Sequence, residues 1–281
     1  LVRSLDRGQN WQLISVGLTD VGAGVNLVLD PLNNALYIGS YKLGVLRSTD
    51  GGVNWQTVNS GLPESPFVDT LVLDPRNGTL YADVLAKGIF RSVDGGQNWQ
   101  LVNNGLPDNG RFVSSLALEP RNGTLYVVDS GKKIFRLSAN SEIWQLVEGN
   151  LAGNDLLILA VNSFDDTLYA RTYEDYIFRS TDNGKSWKLI SDKLPATLSA
   201  LIFDSRDGTL YLKTFKKGIW RSSDKGSTWK IFSTGVLNTS FNISVLALDQ
   251  RNGTIYAGSN SLEGGVFRSI DGGKNWQSIS I

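Results

Sequence analysis

At 281 residues with 41% hydrophobic content the chain can form one large domain, and its 27 basic and 27 acidic residues cancel, so no global field favours nucleic acid or an anionic membrane. His, Cys and Met are absent, which removes a Ser-His-Asp triad, a thiol nucleophile, a zinc site of the usual ligands and any disulfide, and leaves only carboxylate, Tyr or Lys chemistry. No apolar run approaches the ~20 residues of a membrane span, and no basic-then-apolar leader opens the chain at Leu1.

Leu1 to Ser15 reads as two short strands joined by Ser4-x-Asp6-x-Gly8-x-x-Trp11. The same pattern returns at Ser48-Asp50-Gly52-Trp55, Ser92-Asp94-Gly96-Trp99, Ser180-Asp182-Gly184-Trp187, Ser222-Asp224-Gly226-Trp229 and Ser269-Asp271-Gly273-Trp276. A degraded copy ends at Trp144, with Leu137 in place of Ser and Ala139 in place of Asp. Ser and Asp two residues apart followed by Gly is turn chemistry: both side chains cap backbone N–H groups, and Gly takes the positive φ that closes the hairpin. A calcium loop needs further oxygen ligands, which Gly51, Gly52 and Val53 do not supply. The Trp closing each turn is expected to cover the gap between neighbouring sheets.

The seven Trp residues recur at 42–47-residue intervals, the size of a four-stranded propeller blade. In the unit ending at Trp99 the expected strands are Thr70-Leu71-Val72-Leu73, Thr79-Leu80-Tyr81-Ala82, Gly88-Ile89-Phe90-Arg91 and one running from Trp99 to Val102. The first pair is joined by Asp74-Pro75-Arg76-Asn77-Gly78, whose Asn-Gly is a hairpin signal. The Asn-Gly-Thr triplets at Asn77, Asn122 and Asn252 satisfy the N-glycosylation pattern, but their recurrence at one turn explains them better. The expected fold is all-β: a single domain over 1–281, with a half blade at 1–15 and six complete four-stranded antiparallel blades over 16–281. That count points to a seven-bladed propeller whose first blade is incomplete, the alternative being six blades with an extra hairpin; ring closure then needs sequence upstream of Leu1 or another element.

The Ser-x-Asp-x-Gly-x-x-Trp repeat resembles the Asp-box, or bacterial neuraminidase repeat, over nearly the whole chain. The resemblance is to the regular propellers of sortilin-type receptors, photosystem II stability factors and xyloglucanases, and it implies a β-propeller whose boxes are structural and remote from any active site. The sialidase likeness stops at the box: no Arg-Ile-Pro start motif is present, and the seven arginines before the boxes occupy one repeat-equivalent position. A secreted or otherwise extracytoplasmic location is expected.

Function is sought where the copies differ, in loops displayed by the scaffold. Between the second and third strands of each blade lie Tyr41, Lys42, Lys87, Lys132, Tyr176, Lys216 and Lys217, and the connections between blades add Phe67, Arg111 and Phe112. At the end of the second strand successive blades carry Gly39, Asp83, Val128, Arg171, Lys213 and Gly258, with Asp129 one place on. Asp83 and Asp129 form the one carboxylate pair placed for glycoside hydrolysis. Tyr37 and its five equivalents recur in every complete blade and are read as core. The reading is of a noncatalytic binding or scaffold propeller with a protein or glycan partner, an anionic one if the lysines act together, and with no cofactor, metal or nucleic acid. The alternatives are a sialidase- or xyloglucanase-type hydrolase and an assembly factor of the photosystem II stability type.

Overall fold

The computed structural model describes residues 2–14, 18, 26–107, 113–130, 132–147, 149, 151, 156–174, 176–191, 198–214, 218–232, 243–259 and 265–279. The protein is an all-β propeller: a two-stranded hairpin, Val2–Arg3 with Gln12–Leu13, is followed by six four-stranded sheets, each in chain order from its first strand to its last. Among the described residues no helix is long and apolar enough to cross a membrane.

One blade shows the logic. Val68–Leu73 pairs with Leu80–Val84, which pairs with Gly88–Ser92, which pairs with Gln100–Leu101. The second strand, central in its sheet, is buried at all five positions in this blade and also in Leu125–Asp129 and Leu210–Thr214. Strands packed on both faces lose the in–out alternation and read as continuous apolar runs. Five of the six outermost strands are two residues long and exposed, which keeps the sheet edge short; Lys188–Ser191, with four residues, is the exception.

Relative to the sequence reading, the first strand of this blade begins two residues earlier, at Val68, because a β-bulge between Val68 and Thr70 inserts Asp69. The irregularity recurs at Val113/Ser115, Leu198/Ala200 and Ile243/Val245. Tyr37, Tyr81, Tyr126, Tyr169 and Tyr211 are buried as expected, and all six equivalents, Tyr256 included, lie directly across from the Arg that precedes the box, as in Tyr37 with Arg47 and Tyr256 with Arg268.

Two compact units are distinguished, residues 1–3 with 12–161 and residues 4–11 with 162–281. In the first, one core gathers Tyr37, Val58, Leu71, Phe90 and Trp99, and a second gathers Tyr81, Val102, Leu116, Phe135 and Trp144. In the second unit, Tyr169, Ile177 and Leu212 form one core and Tyr211, Leu246, Phe267 and Trp276 another.

Candidate functional site

The box has to be accounted for before any site can be placed. In Ser48–Trp55 the Ser48 hydroxyl donates to Asp50 Oδ1 at 2.8 Å and accepts the Gly52 N–H at 2.8 Å, while Asp50 accepts the N–H of Asn54 at 2.9 Å and its side-chain amide at 2.7 Å. The same set closes the boxes at Asp6, Asp94, Asp182, Asp224 and Asp271, with Ser186 or Thr228 in place of Asn in two of them. Hydrogen bonds from Asn54 hold the Asp50 carboxyl down at about 2. Every box acid is therefore consumed by its own turn. Two successive residues take the left-handed conformation: Gly52 at φ 92° follows Gly51 at φ 73°, and the first of the two positions is filled elsewhere by Arg7, Asn183 and Lys225.

The box Trp side chains differ in where they donate. The indole N–H of Trp99 donates to Val58 O at 2.7 Å and that of Trp144 to Val102 O at 2.6 Å, each reaching the preceding blade, and that of Trp11 to Ile279 O at 2.7 Å, whereas Trp55, Trp187 and Trp276 donate to the glycine of their own box at 2.9 Å. At Trp99 and Trp144 the acceptor belongs to a second motif, Val58-Asn59-Ser60-Gly61-Leu62-Pro63, repeated at Val102-Asn103-Asn104-Gly105-Leu106-Pro107. Asn59 accepts the Val45 N–H and donates to Leu43 O, both at 2.8 Å, tying the segment to its own blade. Ser60 O accepts the Trp99 N–H at 2.9 Å, tying it to the next. Gly61 and Gly105 have positive φ and lie against the backbone of Trp99 and Trp144. Trp144 keeps this arrangement at 3% exposure although its box has lost Ser and Asp, so the ring and the clasp outlast the polar cap.

The Asn-Gly turns are satisfied internally too. Asn77, Asn122 and Asn252 each accept the N–H of the Thr two residues on, at 2.9, 2.8 and 2.9 Å, and Arg76, Arg206 and Arg251 pair with Asp74, Asp204 and Asp249 at the start of the same turn.

What the repeats do not use lies at the opposite ends of the strands. In the first unit two successive blades bring together three residues that have no repeat-wide role. Tyr41 stacks on Phe67 with ring centroids 4.0 Å apart and planes 20° apart, and its hydroxyl donates to Asp69 Oδ1 at 2.8 Å. Phe67 is fixed by its carbonyl, which accepts the Leu85 N–H at 2.9 Å. Asp69, the bulge residue, lies beside Thr70, the strand partner of Asp83. Asp83 is 5% exposed and its carboxylate accepts no hydrogen bond among the described residues; burial, reinforced by the negative charge of Asp69, pushes its carboxyl up to about 7.

The other sequence-selected residues divide among several roles. Asp129 Oδ1 accepts the Lys133 N–H at 2.7 Å, so its carboxylate caps its own turn. Lys132 takes φ 60° in that turn and donates its N–H to Asp129 O at 3.0 Å, which gives it a backbone role as well. Lys42 and Lys87 are exposed on the corresponding turns. In the second unit Lys213 is 8% exposed, and its ammonium donates to Ser244 O at 2.7 Å. Arg171 is the last residue but one of Thr167–Thr172, across from Ile177, and Tyr176 closes the following turn, its carbonyl accepting the Thr172 N–H at 3.1 Å. Arg111, Phe112, Lys216 and Lys217 lie outside the described residues. Asp69 was not a sequence candidate; its one signal was an acid next to the start of a first strand, which nothing marks as a bulge.

The pKa of Asp83 makes a prediction. A carboxyl that folds with its pKa raised takes up a proton on folding between pH 4 and 7, so its contribution to stability is present below that window and lost as pH rises through it. Asp6, Asp50, Asp182, Asp224 and Asp271 titrate near 2, and hydrogen bonds from Asn98 lower the Asp94 carboxyl as well, so the box acids stay ionised throughout. Asp83→Asn is expected to raise the melting temperature relative to wild type at pH 8 and to leave it nearly unchanged at pH 4.5. Equal shifts at both pH values would show that Asp83 is ionised at no cost.

Comparison with known proteins agrees with this fold. The family model described as "Sortilin, neurotensin receptor 3" matches residues 175–281. Among solved structures, YCF48 from Cyanidioschyzon merolae matches with a TM-score of 0.65 and 15% identity, over 92% of this chain and 87% of its own. YCF48 bound to D1 peptide matches at 0.61 and 21%, over 80% and 72% of the two chains. The GH74 enzyme of Niastella koreensis matches at 0.61 and 20%, over 79% of this chain and 38% of the enzyme, so the chain spans well under half of that protein. A search of curated proteins finds no match. The chain is thus a propeller of the regular-repeat type seen in sortilin, YCF48 and GH74 proteins; at these identities the likeness concerns the fold.

Proposed function

We propose that the chain is a noncatalytic binding propeller that presents the irregular strand ends of its blades to a protein partner. The observation that carries the proposal is the cluster of Tyr41, Phe67 and Asp69. These residues come from two blades, depart from the repeat, and their side chains take no part in the boxes or the Trp clasps. Stacked aromatics beside polar groups are the composition of an interface anchor. A structural relative of the same repeat type has been solved with a peptide bound, which supports a peptide or protein as the partner class. Hydrolysis is the weaker reading, because the second carboxylate it requires, Asp129, is engaged by Lys133.

The test is selection of ligands from a displayed random-peptide library, with the Tyr41→Ala/Phe67→Ala double variant as comparison and xyloglucan and sialoside hydrolysis assayed in parallel. Selected peptides are expected to bind the double variant about tenfold or more weakly, the 1.4 kcal/mol or so that loss of an aromatic anchor costs. Peptides indifferent to the variant, or sugar release that disappears in Asp83→Asn, would overturn the proposal.

A further inference from the structure

We infer that the hairpin of Val2–Arg3 with Gln12–Leu13, together with the exposed leucines of the strand Asn26–Leu29, forms a docking site for a two-stranded β-hairpin of a partner polypeptide. The site lies wholly in the first unit and does not rest on the Tyr41 and Phe67 edge.

Three features point to a hairpin as the occupant. The first is where Val2–Arg3 and Gln12–Leu13 sit. Arg3 donates to Gly51 O at 2.7 Å, and a Cβ on Gly52 would meet Ile14. One blade on, Arg47 lies against Gly95 and Val58 against Gly96 in the same way. The strand register agrees, since Arg3 lies across from Gln12 as Arg47 does from Gln56 and Arg91 from Gln100. The two short strands thus hold the places of a third and a fourth strand. The second feature is an open edge. In the complete blades the third strand is paired on both sides, with a tyrosine across from the arginine, as Tyr37 is from Arg47. Among the described residues Val2–Arg3 pairs with Gln12–Leu13 alone. Such an edge is a template for another strand.

The third feature is an apolar face. Leu27 and Leu29 are 51% and 55% exposed, whereas Leu71, which stands in the next blade where Leu27 stands in its own, is 1% exposed. Leu71 lies in a core with Tyr37 and Val45 of the preceding blade, and Leu73, the equivalent of Leu29, packs on the same core together with Val28. The fold therefore shows what covers such a face: the tyrosine of a second strand and an apolar residue of a first strand. The occupant these features specify is a hairpin whose pairing strand carries Leu or Ile followed by Tyr, the tyrosine falling across from Arg3. Each second strand of this chain bears that pair, from Leu36-Tyr37 to Ile255-Tyr256. Main-chain bonds to the edge would give affinity, and the tyrosine and its apolar neighbours would give specificity.

The experiment uses the full chain and, as probe, a backbone-cyclised peptide of the chain's own sequence 68–84, which holds a first strand, its Asn-Gly turn and a second strand. Cyclisation supplies the order that an isolated two-stranded hairpin lacks in water. The peptide is expected to shift the methyl signals of Leu27 and Leu29 and the amide signals of Val2 and Arg3 in NMR spectra, and to raise the melting temperature as its concentration rises. The same peptide with Tyr81→Ala should bind about tenfold or more weakly, as loss of an aromatic anchor does. So should wild-type peptide to the Leu27→Lys/Leu29→Lys chain, whose own melting temperature should stay close to wild type because both side chains already face water. Tyr41→Ala/Phe67→Ala should bind the hairpin as wild type does, so this inference and the binding reading of the other edge fail separately. No binding, equal binding of a scrambled cyclic peptide, or binding indifferent to both Tyr81→Ala and the double lysine variant would overturn the inference. Self-association of the chain that the double lysine variant abolishes, without hairpin binding, would overturn it in favour of a second copy.

Discussion

Trp99→Ala is expected to destabilise the protein by about 3–5 kcal/mol, the range for deleting a fully buried aromatic side chain. The ring is 4% exposed, lies in a core with Val58, Leu71 and Phe90, and its N–H is satisfied by Val58 O of the preceding blade. Its removal opens a cavity between two blades and also leaves a buried carbonyl without a donor. Trp55 is the internal control. It is only partly buried and its N–H returns to Gly52 of its own box, so Trp55→Ala should cost about 1–2 kcal/mol, the loss of a partial burial. Chemical denaturation of both variants checks the ranking, and equal losses would mean that the clasp contributes nothing beyond the ring.

Gly61→Ala is expected to rank close behind. Gly61 sits at φ 89°, and a Cβ there would lie 2.3 Å from the carbonyl oxygen of Trp99, which is backbone and cannot swing aside. The left-handed conformation costs an L-residue about 1–2 kcal/mol, and forcing the blades apart adds roughly 1–3 kcal/mol. Gly272 has the same sign of φ, 72°, but the nearest atom to its Cβ would be the Tyr211 hydroxyl at 3.8 Å, and Asn183 occupies the equivalent position in another blade. Gly272→Asn should therefore stay within about 0.5 kcal/mol of wild type, as open surface sites do. A Gly61→Ala protein as stable as Gly272→Asn would show that the clasp is loose.

The boxes and the Asn-Gly turns were legible in the sequence because their hydrogen bonds run between residues two to four apart, so the donor and acceptor types announce themselves in order. The Val-Asn-x-Gly-Leu-Pro clasp occurs only twice in the chain, so the period that revealed the boxes did not reveal it, and its contacts reach Trp residues about forty positions away. The candidate site was half visible. Tyr41, Phe67 and Asp83 drew notice by breaking the repeat, but nothing in one dimension pairs Tyr41 with Phe67 or marks Asp69 as a bulge residue.

The linear order of residues by itself determined that this is an all-β propeller of regular blades closed by self-capped turns, since each turn and each strand is a local or periodic property and the same solution recurs throughout. Tertiary structure alone decided which carboxylate is short of a partner. Asp129 and Asp83 look alike as acids at strand ends, yet a backbone N–H four residues away satisfies the first, while burial and the neighbouring charge of Asp69 hold the second near 7. Desolvation and charge proximity depend on what packs around a group in space, and that information appears only once the blades are side by side.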